Sequence, residues 1–254
     1  MALTLTPVQG LPIFKQGDNL SATIFILLAE NGIILQDGDI LVIAQKIVSK
    51  VEGRFVNLES VRPSSLALAY QPIVQKDPRL IELILRESNS VLRIRQGVII
   101  VEHKMGFICA NAGIDHSNVT NPSDDGEYVL LLPENPDVSA QHIRKELHEN
   151  CAKSIGILII DSHGRTWRNG TVGVAIGVSG LPALTDLRGT KDLFGRVLQI
   201  TQVATADELA AAASLVMGQA GEGTPVIHVR GFPYPLRESG LSELLRPKTQ
   251  DLFR

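Results

Sequence analysis

Four short polar segments carry residue types suited to metal-assisted phosphoryl chemistry. The first, Gly113-Ile114-Asp115-His116-Ser117-Asn118, follows the strand-like run FICANA. Asp115 and Asn118 are hard oxygen donors, and three residues apart they can converge on one cation of the Mg²⁺ or Mn²⁺ type. Taken alone the segment reads as a turn, because Asp and Asn close turns with their own side chains. The second, Asp161-Ser162-His163-Gly164-Arg165, follows the apolar run GILII. A carboxylate at the mouth of a buried strand is costly unless a cation pairs with it, and sheets of this kind place ligand-binding groups there. Ser162 adds a hydroxyl, and Arg165 with Arg168 offers a bidentate clamp for phosphate or carboxylate. The same residues also read as an Asp cap beside solvated arginines, and His163 reads as a loop histidine.

The third segment, Met217-Gly218-Gln219-Ala220-Gly221-Glu222-Gly223-Thr224-Pro225, joins a helix end to a strand. Its glycines can turn successive backbone N–H groups towards an anion, or serve only as a helix terminus. Gln219 and Glu222 add oxygen donors. The fourth runs from Gln45-Lys46 through Lys50 to Arg54, behind the strand DILVIAQ. Its three cations suit a triphosphate, although a charge run is more commonly a solvated hairpin. Gln9-Gly10-Leu11-Pro12 reads as a turn and suggests no chemistry by itself.

Other chemistries lack their residues. The chain contains no H-E-x-x-H, no zinc ligand set, no G-x-S-x-G and no P-loop lysine signature. The glycine-rich segment follows a helix and precedes a strand, the reverse of a dinucleotide fingerprint. Cys109 and Cys151 lie far apart, which argues against a disulfide framework and suits small buried hydrophobes. With 24 Lys+Arg against 27 Asp+Glu the net charge is −3, so no basic field points to nucleic acid or an anionic membrane. An anionic substrate must be held by a local cluster. The first residues lack a basic and apolar leader, and ATIFILLA at 22–29 is too short to span a bilayer. A cytoplasmic location is expected, with the sequons at Asn118 and Asn169 as chance matches.

These residues need elements to position them. Strand-like runs lie at 39–45, 97–102, 106–112, 128–133, 155–161, 173–180 and 224–231. Helical periodicity predicts helices from Asn19 to about Ala29, Pro78 to Glu87, Ser139 to Cys151 and Thr205 to Met217. Thr205 with Glu208 reads as a capping box, and Gly218 as the stop. Strands and helices mix without strict alternation, which predicts an α/β (mixed α+β) protein with mixed sheets and flanking helices. Two lobes around a cleft are expected, about 1–85 plus 195–254 and about 86–194.

The runs VQGLP (8–12), DGDILVIAQKIVSKVEGR (37–54), NAGIDHSNV (111–119), IIDSHGRTWRNGTVGVAIGVSG (159–180), DLRGTKDLFGR (186–196) and ADELAAAASLVMGQAGEGTPVIHVRG (206–231) together resemble the coenzyme F420:γ-glutamyl ligase family. The resemblance spans nearly the whole chain in order. It implies a GTP-dependent ligase that joins L-glutamate to the phospholactate carboxylate of the F420 precursor through an acyl phosphate, then adds a second, γ-linked glutamate. It implies two divalent cations, Mg²⁺ or Mn²⁺, on Asp115, Asp161, Ser162 and Gln219, with K⁺ as a further candidate ion. Asp115, Asp161 and Arg165 take catalytic roles, Arg165 holding a substrate anion. The GTP site would comprise Gly10, Leu11, Pro12, Ile13, Gln45, Lys46, Lys50, Asn118 and the loop Met217, Gly218, Gln219, Ala220, Gly221, Glu222, Gly223, Thr224. Relatives often carry small or hydroxylated residues at the positions of Gln45 and Lys46, so nucleotide contacts there are expected to differ. A homodimer is implied, and the flavin-binding reductase-like domain of some bacterial relatives is expected to be absent. Two other readings stay open: an amide ligase with a different carboxylate acceptor, and a non-catalytic nucleotide- or deazaflavin-binding protein.

Overall fold

The computed structural model describes residues 2–116, 119 and 126–252. In chain order it has β1 (Thr4–Pro7), α1 (Leu20–Glu30), β2 (Ile40–Ala44), α2 (Gln45–Val51), β3 (Phe55–Asn57), α3 (Ser65–Val74), α4 (Pro78–Arg86), β4 (Ser88–Arg95), β5 (Val98–His103) and β6 (Ile108–Ala110). Then follow β7 (Tyr128–Leu130), α5 (Pro136–Cys151), β8 (Gly156–Arg165), β9 (Arg168–Ser179), β10 (Thr185–Asp186), β11 (Gln202–Val203), α6 (Thr205–Met217) and β12 (Val226–Arg230). The class is mixed α/β, as the unalternating pattern of strands and helices predicts.

The main sheet has the order β1-β12-β2-β8-β9. Only β2 and β8 run parallel, with Leu41 opposite Ile157 and Ile43 opposite Ile159. Apolar runs such as ILVIA are buried on both faces, because helices cover both. Strand alternation sends Leu41, Ile43, Ile157 and Ile159 towards Ile24 and Leu28 of α1 and Ile143 and Leu147 of α5. The same alternation sends Ile40, Val42, Leu158 and Ile160 towards Leu209, Ala210 and Ala213 of α6.

Two glycines of β9 let helices approach closely from opposite sides. A Cβ on Gly173 would sit 2.5 Å from the Ala210 carbonyl oxygen and from Ser214 Cβ, and one on Gly177 would sit 2.5 Å from the Pro136 carbonyl oxygen. Gly173→Val must therefore push α6 off the sheet. It is expected to cost about 2 kcal/mol, the usual scale of core overpacking, read as a lowered denaturant midpoint.

A second core lies under the sheet β4-β5-β6, where α3 and α4 bury Ala67, Val74, Ile81 and Ile84 against Ile99, Val101 and Cys109. A smaller cluster of Leu58, Val61, Leu83 and Val129 joins it to the pair β3-β7. Arg54 ties the parts together, donating from Nε to the Leu132 carbonyl at 2.8 Å and pairing with Glu87 at 3.2 Å. By packing, 156–179 lies in the same sheet as 40–44, and 55–130 supplies the second core.

Several elements differ from expectation. Residues 45–51 form a helix, not a hairpin, because β2 runs into α2 with no turn between them. α5 starts at Pro136, capped by Asn135, whose side-chain oxygen accepts from Val138 N–H at 3.2 Å. The capping box at Thr205 does not form: its hydroxyl instead pairs with Thr185 at 3.0 Å and with the Ala183 carbonyl at 3.3 Å, and Ala204 takes the cap position. Gly218 does end α6, with a φ of 77°. β6 is cut short by a 3-10 turn over Asn111–Gly113. Among the described residues no helix is long and apolar enough to cross a membrane.

Candidate active site

A cavity of about 510 Å³ opens at the end of β2 and beside the middle of β8, lined by four segments. α2 contributes Gln45, Lys46 and Lys50, the stretch before β7 contributes Gly113 to Asp115, and β8 contributes Asp161 and Ser162. The loop after α6 closes the fourth side with Met217, Gly218, Gln219, Ala220, Glu222, Gly223 and Thr224. Four segments far apart in sequence thus face one space.

Asp115 is fixed by backbone and side chains together. Its N–H and C=O both pair with Leu130 at 2.9 Å. Gln45 Nε2 donates to its Oδ2 at 2.6 Å, and Lys46 Nζ lies 3.4 Å from Oδ1. Gln45 is itself buried and held by Ser49, whose hydroxyl donates to Gln45 Oε1 at 2.9 Å. This orients the amide so that its NH₂ meets the carboxylate. Burial, and then the charge of Asp161, push the Asp115 carboxyl above its ordinary range even though Lys46 opposes them.

Lys46 and Lys50 are four apart on α2 and so share a face. Burial, and then the neighbouring Lys46, hold the Lys50 ammonium below its usual range. An anion in the cavity would reverse that shift. Arg54, the third cation of the segment, is engaged by Leu132 and Glu87 and does not line the cavity.

β8 splits its polar residues by parity. Ser162 points to the α6 side and donates to Gln219 Oε1 at 2.7 Å, while Gln219 Nε2 donates to Ser214 Oγ at 2.7 Å. Asp161 and His163 share the opposite face, with His163 Nε2 3.0 Å from Asp161 Oδ2. Thr224 closes the loop by donating to the Met217 carbonyl at 3.0 Å, and Glu222 accepts from the Ala220 N–H at 2.8 Å. Cys109 lies near Asp161, and burial first, then that charge, push its thiol up to about 12. It is no nucleophile at neutral pH.

Other expected site residues lie elsewhere. Gly10, Leu11, Pro12, Ile13 and Gly221 do not line the cavity, although the first four follow Val8, whose N–H bonds the Val226 carbonyl beside Pro225. Arg165 sits near the tip of the β8–β9 hairpin and donates to the Asn169 carbonyl at 3.2 Å. Asn118 lies outside the described residues. Sequence reasoning missed Ser214, a buried hydroxyl in the alanine-rich face of α6, and gave His163 no role beside Asp161.

The model of the F420-0:gamma-glutamyl ligase family matches residues 10–231. The chain belongs to this family. Among relatives, the coenzyme F420:L-glutamate ligase of Methanothermobacter thermautotrophicus is 48% identical, covering 100% of both chains. The enzyme of that description from Methanocaldococcus jannaschii is 44% identical over 96% of this chain and 94% of its own. That from Archaeoglobus fulgidus is 39% identical over 100% of this chain and 97% of its own. The matched region contains every polar residue of the cavity described above.

The donor set fits a hard divalent cation. Asp115, Asp161, Ser162 and Gln219 offer carboxylate, hydroxyl and amide oxygens to one space, and no thiolate or imidazole competes from its lining. Among the described residues no three acidic, His or Cys groups cluster. A cation held by this ligase would thus complete its shell with substrate oxygens or water, as Mg²⁺ does at phosphate-binding sites.

Proposed function

We propose that the chain joins L-glutamate by an amide bond to the carboxylate of the coenzyme F420 precursor, using GTP, and then joins the amine of a second glutamate to the γ-carboxylate of the first. The observation that carries this reading is one cavity lined by Asp115, Asp161, Lys46 and Lys50 together, in a member of the F420-0:gamma-glutamyl ligase family. A binding protein without catalysis has no need for Asp115 and Asp161 as paired cation ligands beside the two lysines.

The acceptor carboxylate oxygen attacks the γ-phosphorus of GTP, its bond to the β–γ bridging oxygen breaks, and GDP leaves. The free amine of glutamate then attacks the acyl carbon of the resulting acyl phosphate. Phosphate departs with the C–O bond, and the amine proton is lost to solvent or phosphate. Asp115, Asp161, Ser162 and Gln219 would hold the Mg²⁺ or Mn²⁺ ions, which supply charge neutralisation of the transferring phosphoryl group. Gln45 orients Asp115 for that task. Lys46 and Lys50 bind and align the triphosphate, and the loop Met217 to Thr224 closes over it. K⁺ and a homodimeric assembly belong to the same proposal.

Lys50→Met tests the nucleotide side. Losing one charge-assisted contact is expected to raise KM for GTP about tenfold while kcat changes less. An unchanged KM would remove Lys50 from the triphosphate site. The decisive assay incubates the purified chain with GTP, Mn²⁺, L-glutamate and the non-glutamylated coenzyme, followed by mass analysis. GTP-dependent gain of glutamyl units confirms the reaction. Metal-dependent GTP binding with no mass gain would refute this acceptor and favour another carboxylate.

A further inference from the structure

We propose that His163 is a positioning residue for Asp161, fixing one carboxylate oxygen so that the other faces the cavity cation. The proposal rests on the metal reading of the site given above. Its starting point is strand geometry. Residues two apart on β8 project from the same face, which sets the His163 ring beside the Asp161 carboxylate, Nε2 to Oδ2 at 3.0 Å. Both side chains are largely shut off from water, 11% and 15% exposed, and the Nε2 atom itself is buried.

His163 Nε2 is a buried atom with no hydrogen-bond partner among the described residues, and the nearest charged oxygen recorded for it is Asp161 Oδ2, 3.0 Å away and off the hydrogen-bonding axis. A packing residue at this position would do its work with carbon alone. The ring is also held in place from behind. Phe107 packs against it with centroids 5.3 Å apart, and His103 stacks on Phe107 at 5.1 Å with the planes 4° apart. Phe107 follows β5 in the second core, so one side of the molecule props the imidazole against a carboxylate carried by the other.

The role requires only a hydrogen on Nε2, which the neutral ring supplies in that tautomer. With that hydrogen on Nε2, a small turn of the Asp161 carboxylate about its Cβ–Cγ bond would bring Oδ2 into line with the donor, which would then resist further rotation. Groups that orient metal ligands from behind in this way are worth about 10–100-fold in metal affinity. On Asp115 a restraint of this kind is already formed, the hydrogen bond from Gln45 Nε2 at 2.6 Å. Asp115 and Asp161 would then each have a neutral donor beside one oxygen, with Lys46 also 3.4 Å from Asp115.

The test compares His163→Phe, which fills the space without the donor, with His163→Gln, whose side-chain amide can place an N–H near the position of Nε2. Mn²⁺ dissociation constants are measured by electron paramagnetic resonance on the full chain with GTP present, and thermal midpoints without metal. His163→Phe is expected to weaken Mn²⁺ binding about 10–100-fold with a near-native midpoint, and His163→Gln to recover most of that loss. Equal Mn²⁺ affinity in wild type and His163→Phe overturns the proposal. Should His163→Phe fail to fold, His163→Met takes its place under the same criterion. A wild-type chain that binds no Mn²⁺ would instead overturn the metal reading itself, and this inference with it.

Discussion

Replacing Asp161 with asparagine is expected to lower turnover by about 100-fold or more, the scale lost when one key electrostatic stabiliser is removed. Asn keeps the size and shape of Asp, so the β8 register with β9, in which Asp161 opposes Val174, should survive. What changes is charge. The cavity loses one of the two carboxylates that would hold a cation against the transferring phosphoryl group, and the developing negative charge there is left less shielded. A second consequence separates this from general damage. The charge of Asp161 is one of the causes that raise the Asp115 carboxyl, after burial. With Asn at 161 the Asp115 carboxyl should therefore move back towards its ordinary value. Steady-state kinetics at saturating GTP measure the first effect, and carboxyl titration by NMR of labelled aspartate measures the second. Near-normal turnover in a folded variant would end the assignment of Asp161 as a metal ligand.

Asp115, Asp161 and Ser162 drew attention as hard oxygen donors after apolar runs, but those residues alone read as well or better as a turn and a cap, and their assignment as ligands came from the family resemblance. Asp115, Asp161 and Ser162 each stand at the end of a strand-like segment, where a sheet exposes its edge to a ligand. Their convergence was not legible, since it depends on β2 pairing in parallel with β8 across more than a hundred residues of chain. Helix α2 was hidden for a local reason. The run QKIVSKV has no turn residue before it, and its lysines read as a solvated hairpin until the burial of Gln45 and Ser49 shows which face turns inward. Arg165 is the reverse case. Its charge suggested an anion clamp, but the hairpin carries it beyond the cavity to bond Asn169. The strand over 40–44 followed from the continuous apolar run ILVIA and that over 226–230 from the valine- and isoleucine-rich VIHVR, whereas α3 was obscured by Pro72, which lies in its last turn and reads as a breaker.

The largest stability effect is expected at the opposite end of β2. Asp39 is 1% exposed and accepts from His228 Nε2 at 2.9 Å, from Arg230 Nε at 2.9 Å and Nη2 at 2.7 Å, and from the Gln36 N–H at 2.8 Å. These contacts pin β12 to β2, which pair from Val226 opposite Ile43 to Val229 opposite Ile40. Asp39→Ala leaves a buried imidazole and a partly buried guanidinium without their acceptor, and is expected to cost about 3 kcal/mol at neutral pH, near the lower end for breaking a buried pair because Arg230 retains access to water. Burial alone would raise the Asp39 carboxyl, but the Arg230, His228 and Gln36 donors outweigh it and hold it below its ordinary value of 3.8. The sign follows directly. A depressed carboxyl stabilises the fold above its unfolded pKa, and that contribution is lost as pH falls from about 4 through the folded value. Urea unfolding at neutral pH and at about pH 3 should therefore show the gap between wild type and Asp39→Ala narrowing in acid. A gap that stays constant would mean that packing, not charge, carries the effect. The folded fraction of the variant should keep its kcat, because the five residues of β2 place Asp39 about 17 Å from the cavity end of the strand. A fall in kcat matching that of Asp161→Asn would mean instead that the buried ion cluster sets the strand's position at the site.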